Sequence, residues 1–484
     1  MNLDVGRSLL RGSVWMLAMR WGIRGLGLLN TFVLARLLAP QDFGLVAMAM
    51  VVGGFIEVLG QTGQQLALIR LPAPTRADYD SVWTLDILVA VALTLLQCAV
   101  APLAPLYFNE PRAAGLIAVL ALRTLIGGFE NVGVVAFRKE LDFRRDFQFQ
   151  VLQRLATIAV TIGLAVWLRD ERALVGGILA GKALSVALSY ALHPYRPRLC
   201  VTRIPALLAF SGWMLAVHIA QYVQDRADEF VVGGFASAAA MGSYSVASDV
   251  ATAPTVEVVL PVTRALFPVF ARIGADTAAV RAAYLDVFSA ACMVSVATGL
   301  GMALVAEDFV RLALGPAWLE SVPLVRVLAI AGGLYGVMQN GIPVLGATGH
   351  ARLSARITAS RAAATVLALL AAAAIWGSTW AVALARTVVT AAFVPGIYLA
   401  LSRVLPVTPR DLLLRAWRPA AAGALMAGVV LSVHAAAPAQ PALRLAIDVG
   451  AGALAYAGGI ALLWLLQGRP DGLEAALLRG LRRG

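Results

Sequence analysis

Charged residues are scarce in this chain of 484 residues. Asp, Glu, Lys and Arg make up 14% of it, where a soluble globular protein carries about 25%. Hydrophobic residues make up 60%, and apolar windows of roughly 18 to 25 residues, the length that crosses a bilayer, follow one another from end to end. One soluble core cannot bury that much apolar surface. The composition therefore excludes a soluble protein and predicts an all-α, polytopic membrane protein.

Cysteine and lysine are scarcer still. Cys98, Cys200 and Cys292 are far apart, and none has a Cys-x-x-Cys partner or a histidine at ligand spacing. We therefore expect neither a disulfide nor a metal site. Arginine supplies nearly all of the positive charge behind the net +12, since Lys139 and Lys182 are the only lysines. No soluble domain carries a basic cluster, so we expect no nucleic-acid partner and assign the excess charge to loops.

Loop arginines set the expected orientation of about fourteen predicted spans. Arginine-rich connections alternate with connections of little charge, and the connections FASAAAM and WGSTW carry none. Both termini belong to the arginine-rich set, so the positive-inside rule places them in the cytoplasm, with the chain crossing the membrane many times. The first apolar segment is interpreted as a retained span rather than a cleaved signal. No connection is long enough to form a catalytic domain, and no residue is expected to be catalytic.

A repeat relates the two halves of the chain at an offset of 198 residues. GSVWMLA at 12–18 matches FSGWMLA at 210–216, and the same offset pairs Phe43-Gly44 with Met241-Gly242. Both copies begin on the same side of the membrane, so the predicted repeat is parallel. We expect a six-helix lobe over residues 1–205, a second over 206–405, two more helices over 406–468 and an interfacial amphipathic tail on the cytoplasmic side over 469–484.

Charged residues interrupt the seventh apolar span, in the stretch HIAQYVQDRADEF at 218–230. On a helical wheel its polar residues form one stripe about 120° wide. An ionisable side chain near mid-membrane costs about 2.5–3.5 kcal/mol, so this stripe is expected to face protein or water rather than lipid. The stripe consists of His218, Gln221, Tyr222, Asp225, Asp228 and Glu229.

A polar stripe also lies at the equivalent positions of the first span, where it is cationic rather than acidic. At the repeat offset, Arg20 corresponds to His218 and Arg24 to Tyr222. Polar stripes on two equivalent helices predict a hydrated cavity between the lobes. Structural alternatives stay open for some other polar residues: Arg154 reaching the interface from near a span end, Arg123 paired with Glu130, and Asp249 bonded to a neighbouring helix. Other spans add polar residues that could line the cavity, among them Glu57, Arg123, Glu130, Lys182, Asp249 and the α-helical series Gln150, Arg154, Thr157 and Thr161.

Three stretches resemble one known family. LARLLAPQDFGLVAMA at 34–49, FRKELDFRRDF at 137–147 and DEFVVGGFASAAAMGSYSVA at 228–247 are similar to the polysaccharide-transporter flippases of the multidrug/oligosaccharidyl-lipid/polysaccharide exporter superfamily, in particular to O-antigen and colanic-acid repeat-unit exporters. The chain departs from the family at Gly234 and Ser237, where members often carry a basic residue and a glycine. The resemblance implies two six-helix lobes around a central cavity, with two further helices alongside.

The resemblance also implies a substrate: an oligosaccharide on undecaprenyl pyrophosphate, moved from the cytoplasmic to the periplasmic leaflet. Membrane lipids and the polysaccharide polymerase machinery are the other partners expected on this basis. Arginine's planar fork suits phosphate oxygens, so we expect Arg20 and Arg24 to bind the pyrophosphate. The other expected substrate residues are Arg123, Lys182, His218 and Tyr222, and those expected in ion coupling or gating are Asp225, Asp228, Glu229, Glu57 and Asp249.

The sequence leaves alternatives open for the energy source and for the substrate class. No Walker motif occurs, so ATP is not expected as the direct energy source and no cofactor is expected. The acids of the seventh span either load H⁺ or Na⁺ or pair with Arg20 and Arg24 in the empty transporter. A lipid II-type flippase and a multidrug or cation antiporter of the same superfamily are alternative functions. A membrane glycan polymerase would need a large periplasmic loop, so we do not expect an enzyme.

Overall fold

The computed structural model of the chain is helical throughout its described residues. It describes residues 22–61, 68, 71, 74–140, 142–204, 211–273, 276–438 and 440–468, and no strand occurs in those ranges. Arg20, the beginning of the predicted first span and the predicted amphipathic tail lie outside the described residues.

Fourteen helices of 16 residues or more follow one another in the described ranges. Ten of these helices are long and apolar enough to cross a membrane. This confirms the predicted all-α membrane fold, whereas fourteen crossings stay a prediction. The helices are α1 (22–37), α2 (Pro40–Leu59), α3 (Arg76–Val100), α4 (Arg112–Gly128), α5 (Phe143–Leu168), α6 (Glu171–Leu192), α7 (Ser211–Gly233), α8 (Ala238–Ile273), α9 (Thr277–Ala313), α10 (Val322–Met338), α11 (Ala351–Trp376), α12 (Thr379–Leu401), α13 (Pro409–Ala436) and α14 (Pro441–Leu466).

Residues at the helix starts explain where several helices begin. Pro40, Pro409 and Pro441 each lie in the first turn, where a missing N–H leaves no hydrogen bond unmade. The Asp276 carboxylate caps α9 by accepting hydrogen bonds from two backbone N–H groups at 3.0 Å. Short helical segments at Ala101–Leu103, Ala104–Phe108, Val132–Val134, Val135–Lys139, Pro316–Ser321 and Gly341–Ala347 connect or extend the long helices.

By its internal contacts the chain forms two compact units, residues 1–245 and 246–484. In the first unit α2 packs against α4, α6 and α7, α3 packs against α4, and α5 packs against α6. In the second unit α9 packs against α10, α13 and α14, while α12 packs against α10 and α11. Helix α7 belongs to the first unit because it packs against α2. The predicted lobes, two-helix addition and tail stay a prediction.

Apolar side chains fill the interior of each unit. In the first, Leu68, Val82, Val132 and Val135 form a buried cluster. In the second, α8 and α9 contribute Phe270, Tyr284 and Phe288 to a larger cluster that also takes residues of α12 and α13. A third cluster joins α13 to α14 through Ala422, Met426, Val430 and Tyr456. The Tyr456 hydroxyl donates to the Met293 carbonyl at 2.8 Å, which attaches α14 to α9.

Candidate functional site

The first unit contains a polar cavity of about 460 Å³. Residues of α2, α3, α4 and α6 line it, together with residues near the start of α5. Ionisable side chains inside a membrane-spanning unit are expected to face protein or water rather than lipid. The ionisable residues that line this cavity are Glu57, Asp86, Arg123, Glu130, Asp146 and Lys182.

Two ion pairs lie in the walls of this cavity. Arg123 on α4 donates from Nη1 to both carboxylate oxygens of Glu57 on α2, at 2.8 and 2.9 Å. The Thr124 hydroxyl donates to the same carboxylate at 3.1 Å. Lys182 on α6 donates to Glu130, just after α4, at 2.6 Å. All four charged side chains are half-buried. The structure thus pairs Arg123 with Glu57 rather than with Glu130, the alternative considered from the sequence.

Replacing Glu57 with glutamine is expected to destabilise the protein by about 1–3 kcal/mol, because half-buried Arg123 loses the carboxylate that offsets its charge. The double variant E57Q/R123Q is expected to recover much of that loss. Thermal unfolding of the purified single and double variants gives the coupling energy. Strict additivity of the two single effects would contradict a direct pair.

A second cationic group lies where α5 meets α1. The Arg154 guanidinium sits against Gly27, so closely that a Cβ on Gly27 would lie 2.4 Å from its Nη2 atom. Arg24, one helical turn before Gly27, is close enough for the two like charges to repel each other. No described carboxylate forms an ion pair with Arg154, and its buried Nε has no hydrogen-bond partner within the described ranges. A half-buried guanidinium without a counter-charge is a suitable anion site.

Arg154 was not among the predicted substrate residues. Its spacing with Gln150, Thr157 and Thr161 on one face of α5 is the sequence signal that could have singled it out. Gly27 corresponds to Asp225 at the repeat offset, so the polar stripe of the first span has no side chain there. The Arg154 guanidinium occupies that space. The predicted Arg24 therefore has an arginine beside it that sequence reasoning assigned to the membrane interface.

The first residues of the polar stripe on α7 contact α2. The Tyr222 hydroxyl donates to the Val51 carbonyl at 2.7 Å, and its ring lies against Gly54, where a Cβ would come within 2.6 Å of the hydroxyl. His218 Nδ1 lies 3.0 Å from the Gln61 carbonyl oxygen. Gln61 also lines the polar cavity. The predicted substrate residues His218 and Tyr222 thus attach α7 to α2.

The acids of α7 have different environments. Asp228 is 2% exposed and accepts a hydrogen bond from the Tyr244 hydroxyl on α8 at 2.8 Å. Glu229 is also buried and forms an ion pair with Arg226 one turn earlier. Asp225 is exposed on α7, as is Asp249 on α8. The structure therefore buries two of the predicted gating acids beside named partners and leaves two at the surface.

The connection after α6 is tied to the cavity lining. The Asn131 side-chain amide donates to the Tyr195 carbonyl at 2.8 Å, and Asn131 also lines the cavity. The Tyr195 hydroxyl donates to the Asp80 carboxylate on α3. Burial, strengthened by that carboxylate, raises the pKa of Tyr195. Burial lowers the pKa of neighbouring His193 below its usual value. Both side chains are therefore neutral near pH 7, and they fasten this connection without adding charge.

Two glycines predicted to be repeat equivalents meet where α2 and α8 begin. A Cβ on Gly44 would lie 1.7 Å from the Ala238 carbonyl oxygen, and a Cβ on Gly242 would lie 1.9 Å from the Pro40 carbonyl oxygen. Gly44 and Gly242 are 198 residues apart, as are Pro40 and Ala238, so the two contacts are reciprocal in the register of the repeat. Backbone contact of this closeness is possible only for residues without a side chain. The reciprocity supports the repeat at these positions.

Comparison with known families assigns the chain to one of them. The family model described as "Polysaccharide biosynthesis protein" matches residues 33–323, which is more than half of the chain and includes the cavity and the α2–α8 contact. The chain belongs to this family. Its relatives include the lipopolysaccharide biosynthesis protein WzxC of Escherichia coli K12, 26% identical over 67% of each chain. The succinoglycan biosynthesis transport protein ExoT of Rhizobium meliloti is 25% identical over 71% of this chain and 70% of its own.

A third relative extends the likeness along most of the chain. The teichuronic acid biosynthesis protein TuaB of Bacillus subtilis is 25% identical over 88% of each chain. Among solved structures, the lipid II flippase MurJ in an inward closed conformation matches 94% of this chain and all of its own, with a TM-score of 0.76 and 13% identity. A multidrug MATE transporter in an inward-facing conformation matches 80% of this chain and 98% of its own, with a TM-score of 0.59 and 15% identity. These two structures share the fold of this family member.

Together these findings confirm the family that the sequence stretches resembled. The family member is a multi-pass membrane protein of polysaccharide biosynthesis. One of its relatives is named as a transport protein, and the two structural neighbours are a flippase and a multidrug transporter. The family assigns the chain to polysaccharide biosynthesis.

Proposed function

We propose that this protein is a flippase for oligosaccharide repeat units carried on undecaprenyl pyrophosphate. It moves them from the cytoplasmic to the periplasmic leaflet of a bacterial inner membrane, with both of its own termini in the cytoplasm. The family, the relatives named for lipopolysaccharide, succinoglycan and teichuronic acid synthesis, and the alternation of loop arginines support the proposal.

One observation carries the substrate class: the arginine pair of α1 and α5. Arg24 and Arg154 are close enough to repel each other, and Arg154 has no carboxylate partner within the described ranges. A half-buried Arg154 guanidinium beside a like charge is stabilised when it binds an anion. A pyrophosphate carries several negative oxygens and would accept hydrogen bonds from both planar guanidinium groups. A cationic drug would be repelled at the same position.

In a second stage of the proposed transport, the substrate reaches the two paired cations of the cavity. Arg123 and Lys182 are each neutralised by a glutamate in the present structure. An anionic substrate that reaches the cavity competes with Glu57 and Glu130 for them, so the pairs open as it enters and close as it leaves. This exchange extends to α2, α4 and α6 the hypothesis made for the acids of the seventh span, which pair with Arg20 and Arg24 in the empty transporter. The lipid tail stays in the bilayer while the polar head crosses by alternating access.

A cation antiporter is the second candidate because of the charge of the cavity. Four acids, Glu57, Asp86, Glu130 and Asp146, face two basic residues, Arg123 and Lys182. An excess of carboxylates suits H⁺ or Na⁺ coupling in a flippase, and it also suits export of organic cations. The lipid II-type flippase is the third candidate, and it shares the pyrophosphate carrier with the proposed substrate.

Deletion of the gene, followed by analysis of surface polysaccharide and of lipid-linked intermediates, separates these candidates. The proposal expects loss of the polymer, accumulation of repeat units in the inner leaflet, and rescue by the wild-type gene. Unchanged polysaccharide with altered resistance to cationic drugs would favour the antiporter instead. Failure of growth with accumulated peptidoglycan precursor would favour the lipid II-type flippase.

A further inference from the structure

A compact polar cluster lies in the second unit, where α9, α13 and α14 pack together. Asp308 is near the end of α9, His434 near the end of α13, and Asp448 in the second turn of α14. One ligand atom from each of the three residues lies within 4.8 Å of the others. The three are far apart in sequence, which explains why the search for neighbouring ligands predicted no metal site.

The two carboxylates are deeply buried. Asp308 is 2% exposed and Asp448 is 1% exposed, whereas His434 is partly open to the surroundings. His434 Nδ1 lies 2.6 Å from Oδ2 of Asp448. The other oxygen of that carboxylate, Oδ1, is buried and has no hydrogen-bond partner in the described part of the chain. A buried carboxylate oxygen without a partner is costly, and a cation is one group that would satisfy it.

Arg444 supplies part of the charge balance. Its guanidinium donates to both carboxylate oxygens of Asp308, from Nε to Oδ2 at 2.6 Å and from Nη2 to Oδ1. Carboxylates that bind a metal are commonly held by such an outer hydrogen bond, and each of their oxygens has a further lone pair. Two carboxylates face one guanidinium in this cluster, and this excess of carboxylates favours a bound cation.

We infer that Asp308, His434 and Asp448 form a binding site for a divalent transition metal ion that ties α13 and α14 to α9. One imidazole nitrogen and two carboxylates are a donor set suited to Zn²⁺ and its close analogue Co²⁺. The half-open His434 is on the accessible side of the cluster. On the predicted orientation, these helix ends face the periplasm. The site is separate from the cavity and arginine pair of the first unit, so it does not depend on the proposed transport function.

Titration of the full-length, metal-stripped protein in detergent with Co²⁺ tests this site directly. The wild type is expected to bind about one equivalent, to develop the visible absorption bands of coordinated Co²⁺, and to lose them when Zn²⁺ is added. Zn²⁺ is expected to raise the unfolding temperature because it binds the folded state. His434→Gln, at a partly exposed position, is expected to weaken Co²⁺ binding at least about tenfold, as is Asp448→Asn.

His350→Asn is the matched control, since His350 is exposed and lies in another part of the second unit. It should leave the absorption and the affinity unchanged. A wild-type protein without Co²⁺ bands, or a His434→Gln variant that binds Co²⁺ as tightly as wild type, would overturn the inference. In either case the His434–Asp448 contact is a hydrogen bond between helices and nothing more.

Discussion

Replacing Arg154 with alanine is expected to reduce polysaccharide export at least about tenfold while the protein still reaches the membrane. The guanidinium has no carboxylate partner within the described residues, so its loss leaves no carboxylate without a counter-charge. Each charge-assisted hydrogen bond to the pyrophosphate contributes about 1.5–3 kcal/mol, which is about tenfold or more in affinity. Complementation of a deletion strain, with surface polysaccharide quantified against the amount of protein, measures the effect.

Two glycine variants test the same site without removing a charge. Gly27→Ala places a Cβ 2.4 Å from Arg154 Nη2, and the flexible guanidinium must leave its present position. Gly25→Ala is its matched control, because no atom lies within 4 Å of a Cβ at that position. We expect reduced export from the first variant and normal export from the second.

Arg172→Ala provides the control for loss of a positive charge, since the Arg172 side chain is 80% exposed. It is expected to export normally. Full rescue by Arg154→Ala at wild-type expression would contradict the anion site, whereas failure of Arg172→Ala would show that any lost arginine has the same effect.

Replacing Gly44 with alanine is expected to be among the most destabilising changes in the first unit. The new Cβ would lie 1.7 Å from the Ala238 carbonyl oxygen, and backbone cannot move aside as a flexible side chain can. Overpacking of a well-packed contact costs about 1–3 kcal/mol, and a clash with backbone is expected at or above the top of that range. The unfolding temperature and the yield of monodisperse protein measure the loss.

Gly242→Ala should behave in the same way, because its Cβ would lie 1.9 Å from the Pro40 carbonyl oxygen. Gly115→Ala, with open space around its Cβ, is the control and should keep the wild-type unfolding temperature. A tolerant Gly44 beside a sensitive Gly242 would argue against the reciprocal contact that the repeat register supports.

The sequence allowed the membrane class, the order of the helices and the family to be predicted, because apolar windows and local motifs depend on neighbouring residues. The residues that contact one another between helices could not be predicted in this way. Arg123 pairs with Glu57 on another helix, and Tyr222 bonds the backbone of α2, where no side-chain pattern marks the acceptor. The place of Arg154 beside Arg24 follows from its close contact with Gly27, which lies on another helix. Each of these depends on how helices pack, which one sequence does not specify.

Polar residues of the seventh span illustrate the same limit within a single helix. The wheel predicted that the stripe faces protein or water, and Asp228 and Glu229 are buried against protein. It could not distinguish them from Asp225, one turn earlier on the same stripe, which is exposed. Burial of Asp228 depends on Tyr244, which comes from the next helix.

Transport by the purified protein tests the central claim most directly. The protein is reconstituted into vesicles that contain undecaprenyl-pyrophosphate-linked oligosaccharide with a labelled sugar, and an impermeant glycosidase is added outside. The account predicts that wild-type protein makes the inner-leaflet substrate accessible to the glycosidase, and that Arg154→Ala vesicles resemble vesicles without protein. Wild-type vesicles in which only the outer-leaflet share is ever cleaved would contradict it.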